Sequence, residues 1–140
     1  MDRKYWDKKS KTYNSEVFDV FMSDKNGIIK SCINKLASPH KTLGDIGCGN
    51  GKWLSLTSPK FKKVDAIDFS ESLLKDAEKK HSHLKNITYL HVDMTRGFKK
   101  PQNYDVILCV NAIITDNYSI REPFFKNIFG NTIVEYVKED

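Results

Sequence analysis

Three acidic residues and a glycine-rich loop form the part of this sequence that could do chemistry. Asp45 stands two residues before a GxGxG loop (residues 47–51), and Asp68 and Asp93 each follow a short apolar run. Glycines allow a sharp backbone turn and let a ligand approach the main chain closely. Carboxylates beside such a turn can accept hydrogen bonds from ribose hydroxyls or from the amino group of adenine. The pattern therefore predicts a binding site for an adenosine-containing ligand.

The residue pattern of the loop differs from the patterns of two kinds of phosphate-binding loop. A dinucleotide fingerprint of the GxGxxG type needs glycine at position 52, where Lys52 stands. A GxxxxGK(S/T) loop needs glycine at 46 and serine or threonine at 53, but Ile46 and Trp53 occupy these positions. The acidic residues also have structural interpretations, because Asp68 could cap a helix and Asp93 could begin a turn. Three acidic strand ends in this order beside GxGxG favour the binding interpretation.

The elements that must position these residues alternate between strands and helices. The apolar patterns predict helices over residues 3–21, 28–37, 52–56, 71–80 and 122–129, and strands over residues 42–46, 63–67, 87–92, 104–110 and 132–137. We therefore predict an α/β fold, with an open, mostly parallel, doubly wound sheet of about five strands behind N-terminal helices. Ligands bind such sheets beyond the carboxyl ends of the strands, where the acidic residues lie.

The size and composition of the chain fit a soluble globular domain. Of its 140 residues, 39% are hydrophobic and 29% are charged, and no apolar run is long enough to cross a bilayer. The N-terminus lacks the pattern of a secretory signal, so we expect a cytoplasmic protein without membrane association. Three separated cysteines and four histidines without metal-ligand spacing predict no disulfide framework and no metal site. The net charge of +5 is a weak indication of an anionic partner such as RNA.

These segments together resemble the motifs of class I S-adenosylmethionine-dependent methyltransferases. Residues 43–51 resemble motif I, residues 66–74 resemble the motif whose acid holds the ribose, and residues 91–94 resemble the adenine-contacting motif. Residues 104–114 resemble the fourth-strand motif, and residues 5–13 resemble the N-terminal helix that covers the cofactor in many members. The resemblance implies a Rossmann-like methyltransferase fold and the cofactor S-adenosyl-L-methionine, with S-adenosyl-L-homocysteine as the product.

The resemblance also implies roles for individual residues. Asp45 would orient the loop or contact the methionine amino group, Asp68 would hold the ribose hydroxyls, and the loop glycines would pass under the methionine and ribose. Phe69 would lie against the adenine, and Asp93 would bind it. Met94 would pack the base, Asn111 would touch the methionine end, and Tyr13 would close the pocket. The predicted cofactor site comprises Tyr13, Asp45, Gly47, Cys48, Gly49, Gly51, Asp68, Phe69, Asp93, Met94 and Asn111.

No catalytic residue is predicted, because methyl transfer mainly requires alignment of a nucleophile with the methyl group. A general base is needed only for some acceptors. Asp116, which follows the fourth predicted strand, could be such a base or could cap a loop. Cys48, inside the glycine loop, could be a small packing residue or a nucleophile.

The sequence departs from the family pattern at two places. Gly44 stands where the family usually has an aliphatic strand residue, and glycine inside a strand weakens it. The last strands of the usual seven are missing, so we expect one domain over residues 1–140, with a helical cap (1–40) and a core (41–140) that is incomplete at its C-terminus. An exposed sheet edge then predicts a homo-oligomer or low stability.

The predicted function is methyl transfer from S-adenosylmethionine to an unidentified small-molecule acceptor. One alternative is a module that binds S-adenosylmethionine or S-adenosylhomocysteine without catalysis, because the acceptor side is incomplete. Another is a tRNA-modifying methyltransferase, since the chain is basic and residues 47–52 are similar to those of wobble-uridine methyltransferases. A dinucleotide-dependent oxidoreductase ranks below these three.

Overall fold

The computed structural model of the chain describes residues 3–13, 20–94, 96 and 103–110. The helices are α1 (Arg3–Lys9), α2 (Val20–Ser23), α3 (Ile28–Leu36), α4 (Leu54–Thr57) and α5 (Glu71–Lys80), with a 3-10 helix over Ser58–Lys60. The strands are β1 (Thr42–Ile46), β2 (Lys63–Asp68), β3 (Ile87–His91) and β4 (Val106–Leu108). Among these helices, none is long and apolar enough to span a membrane. The predicted helix 122–129 and strand 132–137 lie outside the described residues.

The predicted N-terminal helix over residues 3–21 is interrupted in the described part of the chain by a turn at residues 10–12. Helix α1 ends at Lys9, and the Thr12 amide donates to the Lys9 carbonyl at 3.0 Å in the turn that follows. The Ser10 hydroxyl donates to the Asp7 carbonyl at 2.8 Å. Such side-chain bonds compete with helical hydrogen bonds and favour a turn over a continued helix.

The four described strands form one parallel sheet in the order β3-β2-β1-β4. Strand β1 is central, because Asp45 pairs with Ala66 of β2 on one side and with Leu108 of β4 on the other. The chain moves outward from β1 through β2 to β3 and then returns to the opposite side of β1. Ligands of open α/β sheets bind at such a reversal, beyond the carboxyl ends of the strands. The predicted fold class, an open parallel α/β sheet of Rossmann-like order, is confirmed.

Both faces of the sheet carry apolar residues. Helix α5 packs an amphipathic stripe on one face, and its solvent side carries ion pairs between residues four apart, Glu71–Lys75 and Asp76–Lys80. The core on this face includes Ile33, Leu43, Trp53, Leu54, Phe61, Val64, Ala66, Leu74, Ala77 and Leu108. A smaller cluster on the other face contains Ile46, Ile67 and Met94. The sheet therefore lies between two apolar layers.

The glycine within β1 has a packing reason that the sequence did not reveal. A Cβ at Gly44 would lie 2.7 Å from the Tyr104 ring, so the ring occupies the space where a side chain would stand. The Tyr104 hydroxyl donates to Asp65 Oδ2 at 2.8 Å, and burial together with Asp65 raises the pKa of Tyr104. Because Asp65 belongs to β2 and Tyr104 precedes β4, this bond joins the two neighbours of β1 across Gly44.

Candidate functional site

The glycine-rich loop after β1 is attached to the end of β2. The Gly47 and Cys48 amides donate to the Ile67 carbonyl at 2.8 and 3.1 Å. Gly51 has φ of +81°, and a Cβ there would lie 2.6 Å from Leu54 Cδ1. A side chain at this position would be strained by the left-handed backbone, and Leu54 and Ala77, whose Cβ would be 3.2 Å away, would have to move. The loop therefore turns sharply over the carboxyl edge of the sheet, as its glycine pattern predicted.

Asp68 holds this loop through its carboxylate. Its Oδ2 accepts from the Gly49 amide at 2.8 Å, and its Oδ1 accepts from the Ser70 amide at 2.9 Å. Asp68 is only 6% exposed. Burial raises its pKa, and the two amide donors together with nearby His91 oppose that rise. Asp68 does not cap helix α5, because Ser70 is the N-cap and accepts from the Leu73 amide.

Asp45 is a buried carboxyl group with an unsatisfied oxygen. It is 2% exposed, and its Oδ2 has no hydrogen-bond partner in the part of the chain that the structure describes. Burial and the negative charge of Asp68 raise the pKa of Asp45 to about 7. An unpaired buried acceptor is costly, so it marks a place where a donor from a ligand is favourable.

Two cysteines lie beside these carboxyl groups. Burial and the charges of Asp68 and Asp45 raise the pKa of the Cys48 thiol well above its usual range. Burial and Asp45 raise the pKa of Cys109, which follows β4, to about 12. Both thiols are therefore protonated at neutral pH and are poor nucleophiles. This favours packing over nucleophilic chemistry for Cys48.

Tyr13 lies over the loop. A Cβ on Gly49, whose φ is +55°, would lie 2.5 Å from the Tyr13 hydroxyl oxygen. The Trp6 ring stacks at an angle with Tyr13, with 6.3 Å between the ring centroids. The N-terminal segment, defined here as residues 3–13, therefore reaches the glycine loop from outside the sheet.

The predicted adenine side is more open. Asp93 is half-buried, and its Oδ2 lies 3.2 Å from Nε of the exposed Arg96. Met94 is buried in the apolar cluster with Ile46 and Ile67. His91 Nε2 donates to the carbonyl of half-buried Phe69 at 3.0 Å, which connects the ends of β2 and β3. Phe69, Asp93 and Met94 therefore lie near the ends of β2 and β3, and their contacts with the base stay predictions.

Some site residues were missed or cannot be placed. Asn111 and Asp116 lie outside the described residues. The sequence analysis missed Asp7, which accepts hydrogen bonds from the Ser70 and Ser72 hydroxyls at 2.7 and 3.0 Å. Its position in the segment that resembles the cofactor-covering helix was an available signal. Within the described ranges, no group of three or more metal-ligating side chains is suited to an ion.

Comparisons with known proteins define the class to which this fold and site belong. A family model described as "Methyltransferase domain" matches residues 44–130, which is more than half of the chain. The chain therefore belongs to this methyltransferase family, and the predicted resemblance to class I S-adenosylmethionine-dependent methyltransferases is confirmed.

Particular relatives agree with this class. The Saccharomyces cerevisiae protein named "Probable S-adenosylmethionine-dependent methyltransferase CRG1" is 32% identical over 93 residues, which are 59% of this chain and 31% of that protein. The chain thus spans about a third of the length of this curated relative.

Solved structures show the same fold. A DhpI–SAM–HEP complex is similar with a TM-score of 0.73 and 14% identity, over 89% of this chain and 56% of that one. The methyltransferase domain of bacterial CtHen1-CN is similar with a TM-score of 0.60 and 23% identity, over 74% of this chain and 57% of that one. Each solved structure is longer, and at these identities the similarity concerns the fold.

Proposed function

We propose that this chain binds S-adenosylmethionine at the carboxyl edge of its sheet and transfers the methyl group to an acceptor. The observation that carries the proposal is the pair of buried carboxyl groups, Asp45 and Asp68, beside the glycine loop at the ends of adjacent strands. Membership of the methyltransferase family and the name of the yeast relative support the same activity.

The residues present fit this cofactor. Its methionine end carries a sulfonium and an ammonium group, and two buried carboxyl groups create a negative potential that favours cations. The unsatisfied Oδ2 of Asp45 is suited to a donor such as the ammonium group. Each carboxylate oxygen can accept more than one hydrogen bond, so Asp68 can hold the Gly49 amide and still accept from ribose hydroxyls.

The chemistry requires positioning by the chain. Bound S-adenosylmethionine supplies an electrophilic methyl group on its sulfonium. Tyr13, which lies over the glycine loop, would exclude water from the bound cofactor and help to fix its position. The acceptor is predicted to enter after the fourth predicted strand, where Thr115 and Asp116 follow in the sequence.

A dinucleotide-dependent oxidoreductase fits the site less well. A dinucleotide would bring its pyrophosphate to the loop, where the charges of Asp45 and Asp68 would repel it. Helix α4 after the loop has only four residues and is not a long helix whose dipole would attract phosphate. Tight binding of NAD without binding of S-adenosylmethionine would contradict our choice.

The acceptor that we propose is a small molecule. Ion pairs with Asp65, Glu71, Asp76 and Asp93 partly neutralise four basic side chains, Lys63, Lys75, Lys80 and Arg96. Such internal pairing weakens the electrostatic attraction that nucleic-acid binding depends on. Binding of tRNA whose affinity falls steeply with salt would instead support the tRNA-modifying alternative. A cytoplasmic location and a homo-oligomer through a sheet edge stay predictions, and sedimentation tests the second.

Calorimetric titration with S-adenosylmethionine and S-adenosylhomocysteine tests the proposal. We expect micromolar binding, and Asp68→Ala should raise Kd at least about tenfold because hydrogen bonds to a charged group are lost. Asp76→Asn is the matched control, since it removes a half-buried acid of α5 that pairs with Lys80. A folded wild-type protein that binds neither compound would overturn the proposal. Binding without release of S-adenosylhomocysteine in the presence of candidate acceptors would support the non-catalytic alternative.

A further inference from the structure

We propose that Asp7 is a positioning residue that docks the N-terminal segment onto the cofactor site, an inference that rests on the proposed function. Asp7 lies on α1 and reaches the beginning of α5. Its Oδ1 accepts from the hydroxyl of Ser70 at 2.7 Å and from that of Ser72 at 3.0 Å. These bonds join residues that are more than sixty positions apart in the chain.

The contact continues directly into the candidate site. The Ser70 amide donates to Asp68 Oδ1, and Asp68 Oδ2 accepts from the Gly49 amide. Gly49 is the residue over which Tyr13 lies. The path therefore runs from Asp7 through Ser70, Asp68 and Gly49 to Tyr13, and it returns to the N-terminal segment from which it began. A closed path of this kind fixes the segment at two points instead of one.

The charge of Asp7 suits this position. The first main-chain amides of a helix have no partners within the helix, and their partial positive charge favours an anion. The Ser72 amide lies 3.5 Å from Asp7 Oδ1, in the first turn of α5. Ser70 is fully buried, so water competes little with its hydrogen bond to Asp7. Asparagine at position 7 would keep an acceptor oxygen but lose the charge, and alanine would lose both.

Docking of the segment affects the affinity for the cofactor. The apparent dissociation constant of a ligand rises in proportion as the fraction of binding-competent protein falls. If Tyr13 must lie over Gly49 in the competent form, loss of the Asp7 contacts lowers that fraction. The segment would then open more often, and the cofactor would leave faster.

The experiment compares Asp7→Ala, Asp7→Asn and the control Asp76→Asn in the full chain. We expect Asp7→Ala to raise both Kd and the dissociation rate for S-adenosylhomocysteine about tenfold, Asp7→Asn to raise them less, and Asp76→Asn to leave them unchanged. Hydrogen exchange without ligand should become faster over residues 3–13 in Asp7→Ala, to a lesser degree in Asp7→Asn, and not in Asp76→Asn. Thermal melts establish that each variant is folded at the temperature of the binding measurements.

A double-mutant cycle identifies the partner of Asp7. Ser72→Ala removes the hydroxyl that donates to Asp7 Oδ1 at 3.0 Å and to the Asp7 main-chain carbonyl at 3.2 Å, without removing the Ser70 cap of α5. Asp7→Ala keeps the carbonyl, so if the Asp7 carboxylate acts through Ser72, Ser72→Ala should change the dissociation rate less in the Asp7→Ala background than in the wild-type protein. Full additivity of the two changes would overturn this contact as the source of the effect.

The outcomes separate this inference from the proposed function. If the wild-type protein binds S-adenosylhomocysteine and the folded Asp7→Ala variant releases it at the wild-type rate, the role of Asp7 is overturned while the proposed function stands. A lower melting temperature with an unchanged dissociation rate would make Asp7 merely structural and would also overturn it. If the wild-type protein does not bind S-adenosylhomocysteine, the proposed function and the effect of Asp7 on cofactor affinity are both overturned. Hydrogen exchange then tests only whether Asp7 docks the N-terminal segment.

Discussion

The two sides of the candidate site are built differently. On the central side, between β1 and β2, Asp45 and Asp68 are buried, and two main-chain amides hold the Asp68 carboxylate. On the outer side, beyond β3, half-buried Asp93 pairs with exposed Arg96. Buried hydrogen bonds specify one geometry, whereas exposed ion pairs contribute little and rearrange easily. The difference teaches that rigidity is concentrated where the proposed cofactor would place its charged methionine end and its ribose.

The largest effect is expected from a side chain on the central loop. Gly51→Ala places a Cβ 2.6 Å from Leu54 Cδ1 at a φ of +81°. Left-handed backbone and overpacking together should lower the free energy of unfolding by about 2–5 kcal/mol in urea titrations. Gly27→Ala is the matched control, because Gly27 has φ of +64° with open space around it. Equal losses of unfolding free energy in the two variants would show that the close packing around Gly51 does not add to the cost of the substitution.

A second test uses the pH dependence of stability. Burial raises the pKa of Asp45 to about 7, so folded protein keeps a proton that the unfolded chain loses near pH 4. The stability that the proton on Asp45 contributes to the folded protein is present at low pH and is lost as the pH rises toward 7. Asp45→Asn should therefore stabilise the fold by about 1–3 kcal/mol at about pH 8 and by less at about pH 5, while it weakens cofactor binding. Urea unfolding at both pH values measures this, and a gain independent of pH would contradict it.

The hydrogen bond from Tyr104 to Asp65, across β1, is expected to have a smaller effect on the free energy of unfolding than the loop substitution. Tyr104→Phe keeps the ring over Gly44 but removes the donor to buried Asp65, which should cost about 1–3 kcal/mol. Tyr89→Phe is the control, because the buried Tyr89 hydroxyl has no hydrogen-bond partner among the described residues. Thermal unfolding should show a loss for the first variant and little change for the second. The same loss in both would mean that the Asp65 bond does not stabilise the central side.

The smallest effect is expected on the outer side. Arg96→Ala removes the exposed ion pair with Asp93 and should change the free energy of unfolding by less than about 0.5 kcal/mol. Urea titration beside Gly51→Ala measures the contrast. A loss as large as that of Gly51→Ala would show that the outer side is as rigid as the centre and would remove the difference on which the comparison depends.

Local patterns predicted the helices and strands well where tertiary contacts agree with them. Strand β1 and helix α5 have the predicted bounds. The predicted N-terminal helix is interrupted after Lys9 because the turn there makes its own side-chain bond through Ser10. Strand β4 is shorter than the apolar run that predicted it, since only Val106–Leu108 pairs with β1. The single domain over residues 1–140 stays a prediction.

The candidate site was predictable in its position more than in its contacts. Parallel strands must bring their carboxyl ends to one edge, so Asp45, Asp68 and the glycine loop were expected to meet there. That Asp68 holds the Gly49 amide could not be predicted, because the bond depends on how the loop folds back over β2. The cofactor-binding roles of these residues stay predictions.

The sequence by itself determined the order of strands and helices, the sharp turns at glycines and the family to which the chain belongs. Local backbone preferences and motif spacing are sufficient for these features. Only the tertiary structure decided that Tyr104 lies on Gly44 and that Asp7 meets Ser70. These contacts join residues about sixty positions apart, and no local periodicity encodes them. Long-range packing buries carboxyl groups and removes the water around them. It therefore set the electrostatics of the site.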